Sequence, residues 1–360
     1  MSNMKYMPVF RLRQQEQLVL QSFSFEDRIF PYLEIIKEYD RERKNKQKTF
    51  DEIHIPLIKK IKSKKIFIDL PVHIRETRGM KGNTLSFFRK IISNRQMRTK
   101  YMIKLNPLSE KIIPVISSYF PRTAEPNSIT LQENELRNHF KTLAFRTFIG
   151  TFKNDMTQIE KVARKDDYLI VDFEDNTLRI EEDEEVYTKI QEKLDTFKNC
   201  NIVILRSAIS SDLTNVSLDH GKAIKSIDNS HIYQFPNFNS SCFGDYAGIK
   251  KDKITEGGTI SPGFIYYDAI KNHFYGYKGK EKDLVEFEKT IVPDVISSKA
   301  TDRMLTAGDF LDSRNIGWKM ILDINNGREK GKSMAKFKRI AMEHYLHCIR
   351  TRINYGDFDS

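Results

Sequence analysis

Cysteine is scarce in this chain: three in 360 residues, at Cys200, Cys242 and Cys348, far apart and odd in number. No zinc or redox spacing connects them and no disulfide framework can be drawn, which points to reduced thiols in a cytosol. Long apolar runs are also missing, since nothing approaches the roughly 20 residues needed to span a bilayer. The opening MSNMKYMPVF lacks the basic, apolar and small-residue regions of a signal peptide. Neither secretion nor membrane insertion is expected, and the chain reads as cytoplasmic. Neither G-x-G-x-x-G nor G-x-x-x-x-G-K-[ST] occurs, which removes the usual dinucleotide and NTPase sites. G-x-S-x-G is absent too, which disfavours a hydrolase built on a nucleophile elbow.

What is present suits a large globular core. Hydrophobic residues make up 39% of the chain, aromatics 11% and charged residues 30%, too little polar bias for wholesale disorder. At roughly 150 residues per domain the length allows two or three domains, or a single (β/α)8 barrel of about 250 residues with appendages. Sixty Lys and Arg against 49 Asp and Glu give a net charge of +11, which raises the prospect of a polyanionic partner such as nucleic acid. The excess is local. Arg41 to Lys48, Lys59 to Lys65 and Lys330 to Arg352 are basic, and Glu181 to Glu185 is acidic. These runs read either as nucleic-acid-binding surface or as solvated helix faces and loops.

Short β-branched and aromatic runs recur, each followed by a longer polar or amphipathic stretch. Strands are expected at Pro8 to Arg13, Ile29 to Ile36, Lys65 to Leu70, Ile112 to Ser118, Leu143 to Ile149, Tyr168 to Phe173 and Asn201 to Arg206. The eighth lies either at His231 to Phe235 or around Phe243 to Ile249. Helical periodicity fills the gaps at Gln14 to Phe23, Phe50 to Lys62, Thr84 to Ser93, Gln132 to Phe140, Met156 to Lys165 and Glu185 to Phe197. Alternation of this kind argues for parallel, buried strands. We read the fold as α/β, a (β/α)8 TIM-barrel-like architecture, with an open doubly wound sheet as the competitor. Past Gly257 the aromatic alternation of ISPGFIYYD and HFYGYKG predicts an inserted β-hairpin, and Lys332 to Ile353 predicts an amphipathic C-terminal helix that closes the barrel. The expected domains are a barrel over 1–256, a hairpin and loop insertion over 257–330, and the closing helix over 331–360.

Charged residues interrupt the apolar strands near their carboxyl ends: Arg11 and Arg13, Glu34, Asp69, Arg146, Asp172 and Glu174, Arg206 and Asp245. In a parallel barrel those ends meet at one mouth, where binding and catalytic groups normally sit. Buried charges are costly unless paired, so the pattern implies either an anionic ligand or a closed ion-pair network. In the first case Arg11, Arg13, Arg146 and Arg206 are forked donors to a phosphate, and Glu34, Asp69, Asp172 and Asp245 are acid/base candidates or Mg²⁺ ligands. In the second they cap the barrel interior. The weaker signals have ordinary explanations. His344 and His347 lack a third metal ligand, Cys242 lacks a partner histidine, and the hairpin aromatics Tyr266, Tyr267, Phe274, Tyr275 and Tyr277 serve either base stacking or packing.

These residues carry a resemblance. The chain resembles the Beta protein family of phages and bacteria. A proline-led strand with two basic residues and a glutamate is matched by Pro8, Arg11, Arg13 and Glu16, and a "PLIE"-like strand by Pro31 to Glu34. "FIDL" stands at Phe67 to Leu70, "IPV" at Ile113 to Val115, an interior arginine at Phe145 and Arg146, and a terminal aspartate at Val171 and Asp172. A "GDYG"-like motif lies within Phe243 to Gly248 and contains Tyr246, with Ala247 inserted before Gly248. The family's order of motifs runs from about Pro8 to the final helix. Arginines stand where the family's first strand has lysines, and Gln15 where it has glycine. The resemblance implies a role in phage–host conflict, with Glu16 and Tyr246 joining the arginines as ligand-binding residues. It implies no particular reaction. Two readings follow: a defence component whose barrel mouth binds a phosphate-bearing ligand or nucleic acid, or a non-catalytic sensor or scaffold that recognises a phage component or docks an effector nuclease.

Overall fold

A computed structural model of the chain describes residues 3–38, 48–178, 184–251, 254 and 260–359. The basic run Arg41 to Lys48 lies outside the described residues except for Lys48, as does the acidic run Glu181 to Glu185 except for Glu184 and Glu185. The expected boundary between residues 256 and 257 also lies outside them.

Eight parallel strands close into a barrel. They are β1 (Tyr6–Arg11), β2 (Tyr32–Glu34), β3 (Ile66–Asp69), β4 (Ile112–Ile116), β5 (Ala144–Phe148), β6 (Tyr168–Asp172), β7 (Asn201–Leu205) and β9 (Cys242–Asp245), the short β8 (Lys222–Ala223) belonging to another sheet. Each β-branched run is buried on both faces, as a strand between a filled interior and a helical layer must be. Side chains alternate with a period of two. Phe10, Leu33, Ile68, Phe145, Val171, Ile204 and Phe243 belong to the outer core against the helices, whereas Met7, Val9, Tyr32, Phe67, Val115, Ala144, Ile170, Val203, Leu205 and Cys242 form a separate cluster inside the barrel.

The strand that closes the barrel is the one at Cys242. It pairs with β7 and with β1, where Tyr6 faces Phe243 and Met7 faces Gly244. A Cβ on Gly244 would stand 2.8 Å from the Met7 carbonyl oxygen, so only glycine permits this approach. The alternative, His231 to Phe235, contributes a helical turn at His231–Gln234. Pro236 follows at once and offers no N–H to a ladder.

The helices begin and end close to the expected positions, with two exceptions. Those at Ser128–Leu136 and Phe152–Val162 start about a turn earlier than the periodicity suggested. The hairpin is β10 (Gly263–Asp268) and β11 (His273–Lys278), with Asp268 opposite His273, and β8 completes a three-stranded antiparallel sheet. Its aromatics serve packing: Tyr266 stacks on His344 at 4.7 Å and Tyr267 meets Tyr345 edge-on, also at 4.7 Å. The C-terminal helix, Met334–Asn354, starts on a Ser333 cap that accepts from the Lys336 N–H. It packs on the first helix, Gln14–Ser22, on the hairpin, and on the helix Ile316–Asn325. At the last crossing Gly317 meets the Ile340 carbonyl, with no room for a Cβ. Within it, His344 Nε2 lies 2.7 Å from the Tyr267 carbonyl and His347 Nε2 lies 2.9 Å from the Asp309 carbonyl, both in packed settings. No helix among the described residues is long and apolar enough to cross a membrane.

Candidate functional site at the barrel mouth

The two-residue period sorts the charged strand ends. Arg11, Glu34 and Asp69 are in phase with the interior residues Val9, Tyr32 and Phe67, and register sets them side by side across β1, β2 and β3. Arg146 follows Ala144 inward and Asp172 follows Ile170 inward. Arg146 is fully buried at the centre and engages each of its N–H groups. Nε and Nη2 donate to Asp172 Oδ2 at 3.1 and 2.6 Å. Nη1 donates to Glu34 Oε1 and Asp69 Oδ2, both at 2.9 Å, and to the Tyr32 hydroxyl at 3.2 Å. Nη2 also reaches the Tyr246 hydroxyl at 3.2 Å. The tyrosines complete the network, Tyr32 donating to Asp69 at 2.8 Å and Tyr246 to Glu34 at 3.2 Å. Arg11 Nε donates to the other Glu34 oxygen at 2.8 Å.

Burial and these contacts compete over each proton. For Glu34, burial favours the neutral acid, but Arg11, the contact with His73, and Arg146 outweigh it and hold the carboxyl well below its usual range. Asp172 is likewise lowered, burial being overcome by Arg146 and Lys251. Asp69 goes the other way: burial, reinforced by Glu34, prevails over Arg146 and pushes it up to about 6. His73 is buried, with Nε2 3.4 Å from Glu34 Oε1 and its ring against Phe148 at 5.0 Å. Burial and the positive charge of Arg146 bring it down to about 3, so it is neutral at physiological pH.

The remaining candidates lie elsewhere. The sequence grouped Asp245 with the mouth acids, but it is out of phase with Tyr246 and points outward. There it accepts from Tyr6 at 2.6 Å, Tyr345 at 2.5 Å and the Ala247 N–H at 2.8 Å. Arg206 is in phase with the outward Ile204, and its Nε donates to the Asn176 carbonyl at 2.5 Å and its Nη1 to the Asp228 carbonyl. Glu16 sits on the first helix and pairs with Lys338 of the C-terminal helix at 2.7 Å. Arg13, half-buried, precedes that first helix.

Above the network lies a cavity of about 450 Å³, lined among others by Arg11, His73, Arg75, Tyr119, Glu174 and Lys251. These come from the ends of different strands, as in barrels whose loops build a site. Glu34, Asp69 and Asp172 do not line it and form the layer beneath. Two of the lining residues, Tyr119 (φ 33°) and Glu174 (φ 56°), hold left-handed backbone conformations although neither is glycine. Such strain persists where the surroundings impose it, and it clusters at ligand sites. Burial and the neighbouring Asp172 push the Glu174 carboxyl upward. Lys251 lies 5.4 Å from the Tyr246 ring, and Tyr246 and Asp172 keep its ammonium charged against the effect of burial.

Glu34, Asp69 and His73 offer one ligand atom each, all within 4.8 Å of one another. Arg146 Nη1 sits 2.9 Å from both carboxylates, so a guanidinium stands where a Mg²⁺ ion bridging these acids would have to come. The family model described as Beta protein matches residues 6–350. The chain belongs to the Beta protein family. No curated protein and no solved structure gives a match to it. In this Beta protein family member, the period-two phase alone separates Asp245 and Arg206 from the inward ring. Tyr32, His73 and Lys251 were missed: Tyr32 stands within the quoted PYLE and in phase with Glu34, whereas His73 and Lys251 lie beyond their strands, where no periodicity reaches.

Proposed function

We propose that the mouth of this Beta protein family barrel binds a small phosphate-bearing ligand. The observation that supports this most is the cavity itself, lined by three cations and formed partly by backbone held in the left-handed region. Its volume falls in the range of about 300–1,000 Å³ typical of small-molecule sites, which favours a nucleotide-sized ligand over duplex nucleic acid. Of the three lining acids, Glu76 pairs with Arg89 at 3.1 Å and Glu174 is pushed toward its neutral form, which leaves Asp175 against three cations. Arg11, Arg75 and Lys251 then set the sign of the field, and Glu174 is the carboxyl placed to exchange a proton with the ligand. Calorimetry with orthophosphate, AMP and a short single-stranded RNA tests the reading. Wild type should bind at least one of them, and Arg75→Ala combined with Lys251→Gln should weaken binding by about tenfold or more, the scale of lost charge-assisted contacts. Unchanged affinity in a folded double variant would remove the mouth as the site.

The second reading, a non-catalytic sensor or scaffold, is favoured by a different observation. Of the four acids first read as catalytic, Glu34, Asp69 and Asp172 are engaged by Arg146, Asp245 is engaged by Tyr6 and Tyr345, and none of them lines the cavity. Partner chemistry, whether nuclease or phage component, belongs to that reading. For the setting we propose phage–host conflict, on the family resemblance. Expression of the wild-type chain should then lower the plating of a sensitive phage, and the Arg75/Lys251 double variant should restore it. Equal plating with and without the protein across a phage panel would count against the setting and leave the ligand reading intact.

A further inference from the structure

The tyrosine at the mouth is held in a conformation that its residue type disfavours. Tyr119 follows β4, lines the cavity and has φ 33°, where glycine rests without strain and a bulky side chain does not. Hydrogen bonds around it hold the backbone there. Ser118 is buried; its hydroxyl donates to Asp155 Oδ1 at 2.5 Å, and its carbonyl accepts from the Thr123 hydroxyl at 2.8 Å. Asp155, on the helix Phe152–Val162, is itself fixed by the Thr147 and Thr151 hydroxyls at 2.8 and 2.6 Å. Neighbouring rings orient the side chain. Tyr119 meets Phe148 at 4.8 Å and His73 at 6.2 Å, both edge-to-face, and no ring among the described residues stacks on it in parallel.

A half-buried aromatic ring fixed beside a group of cations suits a molecule that carries both a planar ring and a phosphate. Arg11, Arg75 and Lys251 line the same cavity. Two further observations favour a base over additional phosphate. The cavity, at about 450 Å³, is far larger than one phosphate group, and Asp175 also lines it, so a ligand that is phosphate throughout would set its own charge against that carboxylate. We infer that the ligand is a nucleotide: the cations take its phosphate, and its base stacks on the Tyr119 ring. Tyr119 is then a specificity-determining residue, one that separates nucleotides from sugar phosphates of equal charge. This rests on the reading of the mouth as a phosphate site.

The test is calorimetry with ribose 5-phosphate and with AMP, GMP, CMP and UMP at constant ionic strength, on wild type, Tyr119→Phe and Tyr119→Gly. Glycine suits the left-handed backbone, so it removes the ring without adding strain. Wild type should bind at least one of the nucleotides about tenfold or more tighter than ribose 5-phosphate, the scale of one base stacked on an aromatic ring. Phenylalanine should keep that ratio, and glycine should bring it close to one. A merely structural tyrosine would move both affinities together and leave the ratio as it is. Equal affinity for ribose 5-phosphate and all four nucleotides in wild type, or a ratio that survives Tyr119→Gly, overturns the inference and leaves the mouth reading standing. If none of the five compounds binds, both readings fall.

Discussion

Arg146→Met is expected to leave the protein largely unfolded at pH 7.5 and measurably rescued at pH 5. Methionine has similar reach and no charge, so the change removes the guanidinium that serves Glu34, Asp69 and Asp172 together. Breaking one buried pair by deleting a partner costs about 3–5 kcal/mol. Here three buried carboxylates lose the same cation, and Tyr32 and Tyr246 lose a donor. Against a total stability of about 5–15 kcal/mol, that is a large share. The pH dependence follows from the same contacts. Without Arg146 the buried acids have folded-state pKa values above their unfolded ones, so the folded state binds protons more tightly and stability rises as pH falls toward the unfolded values. Urea denaturation at pH 7.5 and 5 reads this directly. A melting temperature within about 2 °C of wild type, or no recovery in acid, would mean that the network is not the support of the barrel interior.

The network also shows what the sequence could and could not convey. Alternating strand and helix, the wrong spacing for any phosphate-cradling loop, and charges at strand ends sufficed for the barrel, because strand burial and period are local properties. The split between Asp172 and Asp245 was equally local, since Tyr246 and Cys242 share the interior phase and Asp245 does not. Where the sequence was silent, tertiary pairing decided. The helix Arg95–Ile103 buries Tyr101 and Met102 but mixes them with charged and polar residues, and Arg95 and Arg98 are held by Glu135 and Glu125 from beyond the next strand. The choice between ligand site and ion-pair network was not legible either. It turns on whether one guanidinium reaches three carboxylates at once, and Arg146 does so from a strand far in sequence from Glu34 and Asp69. The lower layer is the ion-pair network, and the cavity above it is formed largely by loop residues that strand patterns do not address.

Asp69→Asn and His73→Phe are expected to change the acid sensitivity of the fold in opposite directions. Asp69, raised from 3.8 in the unfolded chain to about 6, makes stability fall as pH rises through that window, by on the order of 3 kcal/mol in full. His73, lowered from 6.5 to about 3, makes stability fall as pH drops below 6.5, because the unfolded chain takes up a proton that the folded one refuses. Between pH 5 and 6 the two oppose each other. Glu34 and Asp172, both lowered, contribute stability that is lost only as pH falls below their unfolded values near 4.5 and 3.8. Three other buried histidines, His231, His347 and His344 at about 4, act in the same sense as His73. Wild type therefore loses stability on acidification from 6.5 to 5, with Asp69 offsetting part of the loss. Asparagine at 69 removes the offset, and the loss over this interval should grow by roughly 1 kcal/mol. Phenylalanine at 73 keeps the ring packed between Tyr119 and Phe148 and should shrink the loss by roughly 2 kcal/mol. Denaturant midpoints at pH 6.5 and 5 give both slopes. Two variants that change the slope in the same direction would show that burial beneath the mouth does not shift Asp69 and His73 in opposite directions.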